Sequence, residues 1–163
     1  MKRIAMGLAA LLATTGCDRQ GGKAAEAEER AAAPAVSSEA ALVKAAGDAA
    51  LQWAPCPVLP AGCEFAVLHG DIARPGADVF LRVPAGYAFP PHSHTSAEHM
   101  VLVSGRLDVR YQGAQPARLT PGTYAYGPAG RPHAATCMAA EPCVLFIAFD
   151  QPVDVVPFEG AIE

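Results

Sequence analysis

The pattern of hydrophobic and polar positions divides the chain into three stretches. Residues 4–13 form a short apolar run, and residues 18–36 contain no large apolar side chain except Val36. From about residue 51 onward, short runs rich in valine, leucine, phenylalanine and tyrosine alternate with glycine and proline. Such alternation is typical of β-strands separated by tight turns. It predicts strands over residues 64–68, 78–83, 97–103, 106–111, 123–126, 133–138 and 143–149.

Short strands at this regular spacing indicate an all-β sandwich or barrel. No long helical pattern interrupts the series, so a parallel α/β sheet is not expected. The one candidate helix covers residues 38–46, where Ser37 or Ser38 would cap the first turn and Gly47 would end the last. Its apolar face is small, because alanines supply most of it.

Composition narrows the class of protein further. Hydrophobic residues make up 52% of the chain, but the sequence has 35 alanines, of which 17 lie in the first 50 residues. The apolar run over residues 4–13 is too short for a membrane-spanning helix of about 20 residues, which excludes a polytopic membrane protein. The net charge of −4 and the lack of a basic run argue against a nucleic-acid partner. No lysine follows Lys44, so Schiff-base chemistry by the downstream domain is excluded.

The N-terminus has the layout of an export signal. A short basic start precedes the apolar run, and small residues then lead to Gly16 and Cys17. Glycine followed by cysteine resembles the bacterial lipoprotein signal, in which the cysteine is lipidated, although Thr14 stands where that signal usually has an aliphatic residue. Ordinary secretion and a retained anchor are the alternatives. The predicted organisation is an export signal over 1–16, a lipid-anchored flexible tether over 17–47 and a folded domain over 48–163, held at a membrane in the periplasm.

The other four cysteines are an even number, as expected for disulfides in an oxidising compartment. Pairing of nearest neighbours would join Cys56 to Cys63 and Cys137 to Cys143, which is one of three possible connectivities. Buried free thiols are the alternative.

Four of the five histidines fall in two windows, residues 86–105 and 122–133. His92 and His94 are two residues apart, so on an extended segment both point to one face. Glu98 is an even number of residues further on, and His133 follows a turn from which it could complete the site. Imidazoles with a carboxylate suit a divalent transition metal such as Fe, Mn, Zn, Ni or Co and leave positions open for a substrate.

Both windows resemble the motifs of the cupin superfamily. The first matches G(x)5HxH(x)3–4E(x)6G at every defined position, and the second is similar to G(x)5PxG(x)2H(x)3N through its histidine, with Cys137 in place of the asparagine. The chain thus resembles a small single-domain exported cupin. The resemblance implies a small antiparallel double-sheet jelly roll, a bound divalent metal, and metal ligands at His92, His94, Glu98 and His133.

The resemblance leaves two function classes open. One is a metal-dependent enzyme acting on a small molecule outside the cytoplasm, dioxygenase-like (for example of the quercetinase kind) or an isomerase, with Glu98 as a candidate base. The other is a non-catalytic binding or sensing module tethered to the membrane. Strand count and edge exposure suggest a homodimer, and a monomer is equally consistent with composition. The weaker candidates for pocket residues are Phe89, Met100, Leu102, Tyr126 and Arg131, and strand parity directs His99 away from the site.

Overall fold

A computed structural model of the chain describes residues 37–138 and 140–163. The chain divides into two units, Met1–Ala40 and Ala41–Glu163, and the strands that the described residues form lie in the second. The export signal, Cys17 and most of the tether predicted from the sequence lie outside the described residues. Within the described residues there are strands, turns and loops but no helix, and hence none that is long and apolar enough to cross a membrane.

Eleven strands of the described residues form two antiparallel sheets, which confirms the predicted all-β jelly roll. One sheet has six strands in the order β1-β2-β3-β10-β5-β8, and the other has five in the order β11-β4-β9-β6-β7. The strands are β1 (Ala54–Pro55), β2 (Glu64–His69), β3 (Ala77–Val83), β4 (Ala88–Ser93), β5 (Glu98–Ser104), β6 (Leu107–Tyr111), β7 (Ala117–Leu119), β8 (Tyr124–Gly127), β9 (His133–Cys137), β10 (Cys143–Phe149) and β11 (Val156–Pro157).

The core consists of the inward faces of both sheets. In β10, buried and half-buried residues alternate along the whole strand, as expected when one face meets the other sheet. Burial of each large aliphatic or aromatic side chain contributes roughly 1.5–3 kcal/mol. The largest members of this core are Val79, Val83, Phe89, Met100, Leu102, Leu107, Val109, Leu145, Ile147 and Phe149.

A second apolar cluster lies on the outer face of the six-stranded sheet. Leu51 and Trp53, which precede β1, pack there against Ala66 and Phe80. The guanidinium carbon of Arg82 lies 4.1 Å from the centre of the Trp53 ring, which adds a cation–π contact. The segment before the first strand therefore covers part of the outer face.

The short helix predicted over residues 38–46 does not form in the structure. Leu42 is 56% exposed and Val43 is 97% exposed, so the large side chains of its apolar face have no surface to pack against. An isolated helix of this length is marginal in water without such packing. The prediction relied on caps, which stabilise a helix less than tertiary contacts do.

Both predicted disulfides are present as nearest-neighbour pairs. Cys56 is bonded to Cys63 in the loop before β2, and Cys137 is bonded to Cys143 across the connection from β9 to β10. The second pair packs on Gly105, which has a φ of +84° and where an added Cβ would lie 2.6 Å from the carbonyl oxygen of Pro142. The glycine that ends the first motif is therefore required by both the turn and the disulfide-closed hairpin.

Four strands were not predicted: β1, β4, β7 and β11. Three of these are only two or three residues long. The strand β4 was missed because Pro90 and Pro91 interrupt its pattern, and proline within a strand usually argues against one. In the structure the pairing of β4 with β9 shifts register between Phe89 and His92, so the prolines lie at a β-bulge, where a regular ladder bond is not required.

Candidate metal centre

The bulge in β4 determines the direction of the first histidine. Phe89 faces inward and is 8% exposed, and without an extra residue His92 would face outward, since the two are an odd number of positions apart. Three steps along β4, from Phe89 to His92, match two steps along β9, from Ala135 to His133. The additional residue turns His92 back into the interior, where its side chain is buried.

Two neighbouring strands place further groups beside His92. His133 begins β9 and is directly paired with His92, and Tyr111 at the end of β6 is paired with His133 on its other side. His94 follows β4 directly, and the chain then crosses to the six-stranded sheet, where Glu98 begins β5. The site thus lies between the two sheets and takes ligands from both.

The three histidines form a cluster able to hold a metal ion. One nitrogen from each ring of His92, His94 and His133 lies within 4.8 Å of the others, and all three side chains are buried. Glu98 approaches the cluster from the opposite sheet. Its Oε2 lies 3.6 Å from Nε2 of His94, and its Oε1 lies 3.3 Å from Nε2 of His133. The four residues named from the motif spacing are brought together.

The Nδ1 atom of each histidine is hydrogen-bonded to a backbone carbonyl. His92 and His133 each bond the carbonyl oxygen two residues upstream, at 2.7 and 3.1 Å, and His94 bonds that of Asp154. A carbonyl accepts only, so in the neutral imidazole Nδ1 is the donor and the lone pair is on Nε2. Such outer contacts fix the tautomer and the ring orientation of metal-binding histidines. The rings are therefore preorganised as ligands.

Burial holds these rings in the uncharged form that a metal requires. Loss of solvent lowers the pKa of His92 and of His94. The same burial, assisted by the neighbouring His92, lowers the pKa of His133 to about 3. All three are thus neutral near pH 7, and metal binding need not displace a proton from any of them.

Glu98 is the most confined polar group of the site. It is 3% exposed, and burial raises the pKa of its carboxyl to about 8. Its Oε1 is one of two buried side-chain polar atoms without a hydrogen-bond partner in the described residues. Such an atom is costly unless something pairs with it. A divalent cation coordinated by the three neutral imidazoles would supply that partner, so the donor set fits a transition metal.

The other unpaired buried atom is the hydroxyl oxygen of Tyr111. The Tyr111 ring lies 5.2 Å from that of His133, and its hydroxyl lies close to Glu98 without completing a hydrogen bond of ordinary geometry. Burial and the nearby Glu98 raise the pKa of Tyr111, while the hydroxyl acts on Glu98 in the opposite sense to burial and lowers its pKa. Sequence reasoning missed Tyr111, because its role depends on pairing between β6 and β9.

Tyr111→Phe is expected to weaken metal binding by roughly 10-fold, in the range found for outer contacts of metal ligands. Loss of the hydroxyl removes the one dipole that favours ionised Glu98. Cobalt titration followed by visible absorption measures both the affinity and the ligand field. Tyr124→Phe removes a hydroxyl that contacts His99 on the outer face and serves as the control. Equal affinities in the two variants and the wild type would exclude this role of Tyr111.

Gly127 makes room for the Glu98 side chain. It is the residue of β8 that pairs directly with Glu98 in β5. A Cβ at this position would lie 2.5 Å from Oε1 and 2.7 Å from Cγ of Glu98. The absence of a side chain at residue 127 is therefore part of the site, although the motif pattern does not define this position.

Gly127→Ala is expected to push the Glu98 carboxylate off its position and to lower metal affinity by about 10- to 100-fold. The fold should persist, because the contact is with one side chain rather than with backbone. Gly47→Ala is the matched control, since a Cβ there meets nothing within 4 Å. Calorimetric titration with Zn²⁺ compares the two; if Gly127→Ala bound zinc as tightly as Gly47→Ala, Glu98 would not be held by this contact.

A cavity of about 120 Å³ extends from the cluster between the two sheets. Most of its wall comes from inward-facing strand residues, and loop residues complete it, namely Cys56, Pro57, Leu59, Ile72 and residues 153–155. Pro57 is the one exposed residue of the wall, and residues 153–155 are half buried, so these two loops flank the mouth. The C-terminal loop also provides the carbonyl of Asp154 that holds His94, which links the mouth to the metal ligands.

The five weaker candidates are divided by the structure. Phe89 and Met100 line the cavity. Leu102 is fully buried in the core without lining it. Tyr126 is 48% exposed and stacks near His99 on the outer face, since the two are paired across β8 and β5. Arg131 is exposed and donates from its guanidinium to the carbonyl of Gln112.

These placements correct the predicted pocket at three positions. Leu102 shares the inward face of β5 but lies too deep, and Tyr126 has the opposite parity. Arg131 contributes only its carbonyl oxygen, which accepts from Nδ1 of His133. As predicted, His99 faces away; its Nδ1 contacts the Tyr124 hydroxyl at 2.7 Å.

Two solved structures superpose on this fold. A deletion mutant of the oxalate decarboxylase OxdC of Bacillus subtilis superposes with a TM-score of 0.54 at 19% identity over 67% of this chain and 30% of that one. The crystal structure of dimethylsulfoniopropionate lyase DddQ from Ruegeria pomeroyi superposes with a TM-score of 0.60 at 23% identity, covering 76% of this chain and 75% of that one. At these identities the likeness concerns the fold.

Sequence comparison adds a local and a broad match. The same lyase of Ruegeria pomeroyi is 36% identical over 52 residues, or 32% of this chain, and the match spans only about a quarter (26%) of the length of that relative. Residues 43–153 match the family described as the ChrR cupin-like domain. Because that match covers more than half of the chain, the protein belongs to the ChrR cupin-like domain family, within the cupin superfamily.

Proposed function

We propose that this protein is a divalent-metal-dependent enzyme that acts on a small molecule in the cavity between its sheets. The observation that carries the proposal is the cluster itself. Three imidazoles have their Nδ1 atoms bonded to carbonyls, and a buried carboxylate with an unpaired oxygen faces them at the end of an apolar cavity. A merely structural cluster would not need to face a cavity. An apolar pocket in which a few polar groups point to one place is typical of active sites and ligand-binding sites.

The chain's own residues prepare this site in three ways. The backbone carbonyls orient the rings, the apolar wall limits water, and Glu98 can hold or release a proton at the cavity end. A bound divalent ion would act as a Lewis acid toward an oxygen of the substrate. Glu98 also remains the candidate base, since it is the ionisable group nearest to the histidines.

The reaction class that the relatives favour is non-oxidative. The two similar structures are named as a lyase and a decarboxylase. By analogy with them, a lyase-like reaction is proposed for this chain. The dioxygenase-like reaction expected from the sequence requires the same ligands. Oxygen consumption distinguishes the two, because only a dioxygenase uses O₂.

The test is turnover by the purified chain loaded in turn with Fe²⁺, Mn²⁺, Zn²⁺, Ni²⁺ and Co²⁺. The panel comprises dimethylsulfoniopropionate, oxalate, catechol and a flavonol, each assayed with and without O₂. We expect turnover of a small substrate that persists without O₂ and is lost in His133→Gln. Turnover that requires and consumes O₂ would contradict a lyase-like reaction and indicate a dioxygenase. Tight ligand binding without turnover in any metal form would favour the sensing module instead.

We also propose that the chain is exported and held at a membrane through lipid on Cys17. Two disulfides among the described cysteines support an oxidising location, since such bonds are rare in the cytosol. Cys17→Ser is expected to move the protein from the membrane to the soluble fraction. Unchanged fractionation, with retention of an uncleaved N-terminus, would contradict lipidation.

A further inference from the structure

Away from its metal-binding end, the cavity has almost no polar group. Its wall is formed by aliphatic and aromatic side chains with one methionine and the disulfide-bonded Cys56. The exception is Asp154 at the mouth, which is half buried and whose Oδ1 accepts a hydrogen bond from the backbone N–H of Thr95 at 2.8 Å. No lysine or arginine contributes to this wall within the described residues.

This lining restricts the charge of an occupant. A bound divalent ion would be the one cationic group in the cavity, and it lies at the end formed by the histidines and Glu98. A second anionic group on the substrate would be desolvated without a cation, and Asp154 would repel it near the mouth. Burial of an unpaired charge is strongly unfavourable. An occupant with a single anionic head avoids this cost.

The volume of the cavity restricts the size of its occupant. The cavity measures about 120 Å³, slightly less than an engineered apolar cavity of about 150 Å³ that holds benzene. Some of that space belongs to the metal and the head group bound to it. A body of roughly two to three carbons fills the remainder. A three-ring flavonol, the substrate type of a quercetinase-like enzyme, does not fit.

From these observations we infer that the substrate is a small monoanion with one oxygen-donor head and a short apolar body. The head binds at the histidine cluster, and the body lies between Phe89, Val109 and Ile147. The inference rests on the proposed metal site, and it adds the charge, polarity and length of the molecule that the site accepts. Selectivity comes from the lining, since the ligands alone would bind any carboxylate.

The test uses the full chain loaded with Co²⁺ and a series of sodium carboxylates. Calorimetry gives affinity, and the visible spectrum of cobalt reports binding at the metal. From acetate to butyrate we expect about fourfold tighter binding per added methylene, the value for burial of one CH₂. Binding should weaken sharply at decanoate, and succinate should bind at least 10-fold more weakly than butyrate.

Two variants connect these results to particular side chains. Ala135→Leu fills the cavity and is expected to abolish butyrate binding while acetate still perturbs the cobalt spectrum. Asp154→Asn keeps the acceptor for the Thr95 N–H and removes the charge, and it should narrow the difference between succinate and butyrate. Val103→Ala, on the exposed face of β5, is the control.

The outcomes separate this inference from the proposed function. Failure of the wild-type chain to bind Co²⁺ would overturn the metal site and with it the proposed function. Cobalt binding with equal affinity for succinate and butyrate, or for decanoate and butyrate, would overturn the substrate class alone. The wild-type series decides the matter even if a variant fails to fold.

Discussion

Replacing His92 and His94 together by alanine is expected to reduce bound metal from about one ion per chain to below about 0.1. Both rings present Nε2 to the same point, and His133 is the one other histidine or cysteine of the described residues in the cluster. Loss of two of three imidazoles leaves one nitrogen and one carboxylate, too few for tight binding of a transition metal. Metal analysis of the purified full chain after dialysis against Zn²⁺ measures this directly.

The loss should also appear in thermal unfolding. A ligand that binds only the folded state stabilises it by about 2.7 kcal/mol at a concentration of 100 Kd. Zinc is therefore expected to raise the Tm of the wild type and to leave that of the double variant unchanged. His99→Ala is the matched control, because this histidine is on the same strand as Glu98 but contacts Tyr124 and Asp150 on the outer face. Equal, negligible metal in wild type and variant would contradict the metal centre.

The second large effect is a gain of stability in the metal-free protein when Glu98 becomes glutamine. Folding raises the pKa of this carboxyl from 4.5 to about 8, so the folded chain keeps a proton that the unfolded chain releases between these pH values. Stability of the metal-free protein therefore falls as pH rises through this window and levels off above it. Glu98→Gln removes that loss, because glutamine has no charged form to desolvate.

At pH 8 the expected net gain is roughly 2 kcal/mol, since the amide forgoes part of the benefit through imperfect hydrogen bonding. At pH 4.5 most of the gain should vanish, because the folded wild type is then protonated and its unfolded state is half protonated. Chemical denaturation in the presence of a chelator, at pH 5, 7 and 8.5, measures the trend. Glu159→Gln, an exposed carboxylate, is the control.

With metal present the same substitution should act in the opposite direction. A divalent cation favours the ionised carboxylate, so metal binding to the wild type releases the Glu98 proton and its affinity increases with pH below 8. Glu98→Gln is expected to bind zinc at least 10-fold more weakly and with less dependence on pH. A variant that is less stable than the wild type at pH 8 without metal would show that burial of Glu98 is not unfavourable.

The structure also shows where sequence patterns stop being informative. Parity along β5 placed Glu98, Met100 and Leu102 on one face, and all three are buried. Parity alone does not give depth, so it could not separate Met100, which lines the cavity, from Leu102, which lies within the core. Tyr126 was misplaced because its direction follows from register with His99, and register between strands is a long-range property.

The bulge in β4 is a second feature that the sequence pattern could not predict. Two consecutive prolines are unfavourable in a regular strand, and a strict period of two would place Phe89 and His92 on opposite faces. One extra residue resolves both points, because it removes the prolines from the regular ladder and reverses parity. A sequence read with a strict period of two cannot anticipate such an insertion.

The sequence by itself determined the kind of fold and the kind of site. These conclusions rest on local features that can be recognised before the fold is known. The features are short strands with turns between them, two close cysteine pairs, and histidines and a glutamate at motif spacing. The tertiary structure alone decided how these groups work together. Glu98 lies beside the histidines because the chain crosses from one sheet to the other. His94 is oriented by the carbonyl of Asp154, which is 60 residues away in sequence. Gly127 and Tyr111 matter only through cross-strand pairing, and the size and polarity of the cavity follow from both sheets at once. Contacts between residues distant in sequence depend on register and packing, which no local pattern encodes.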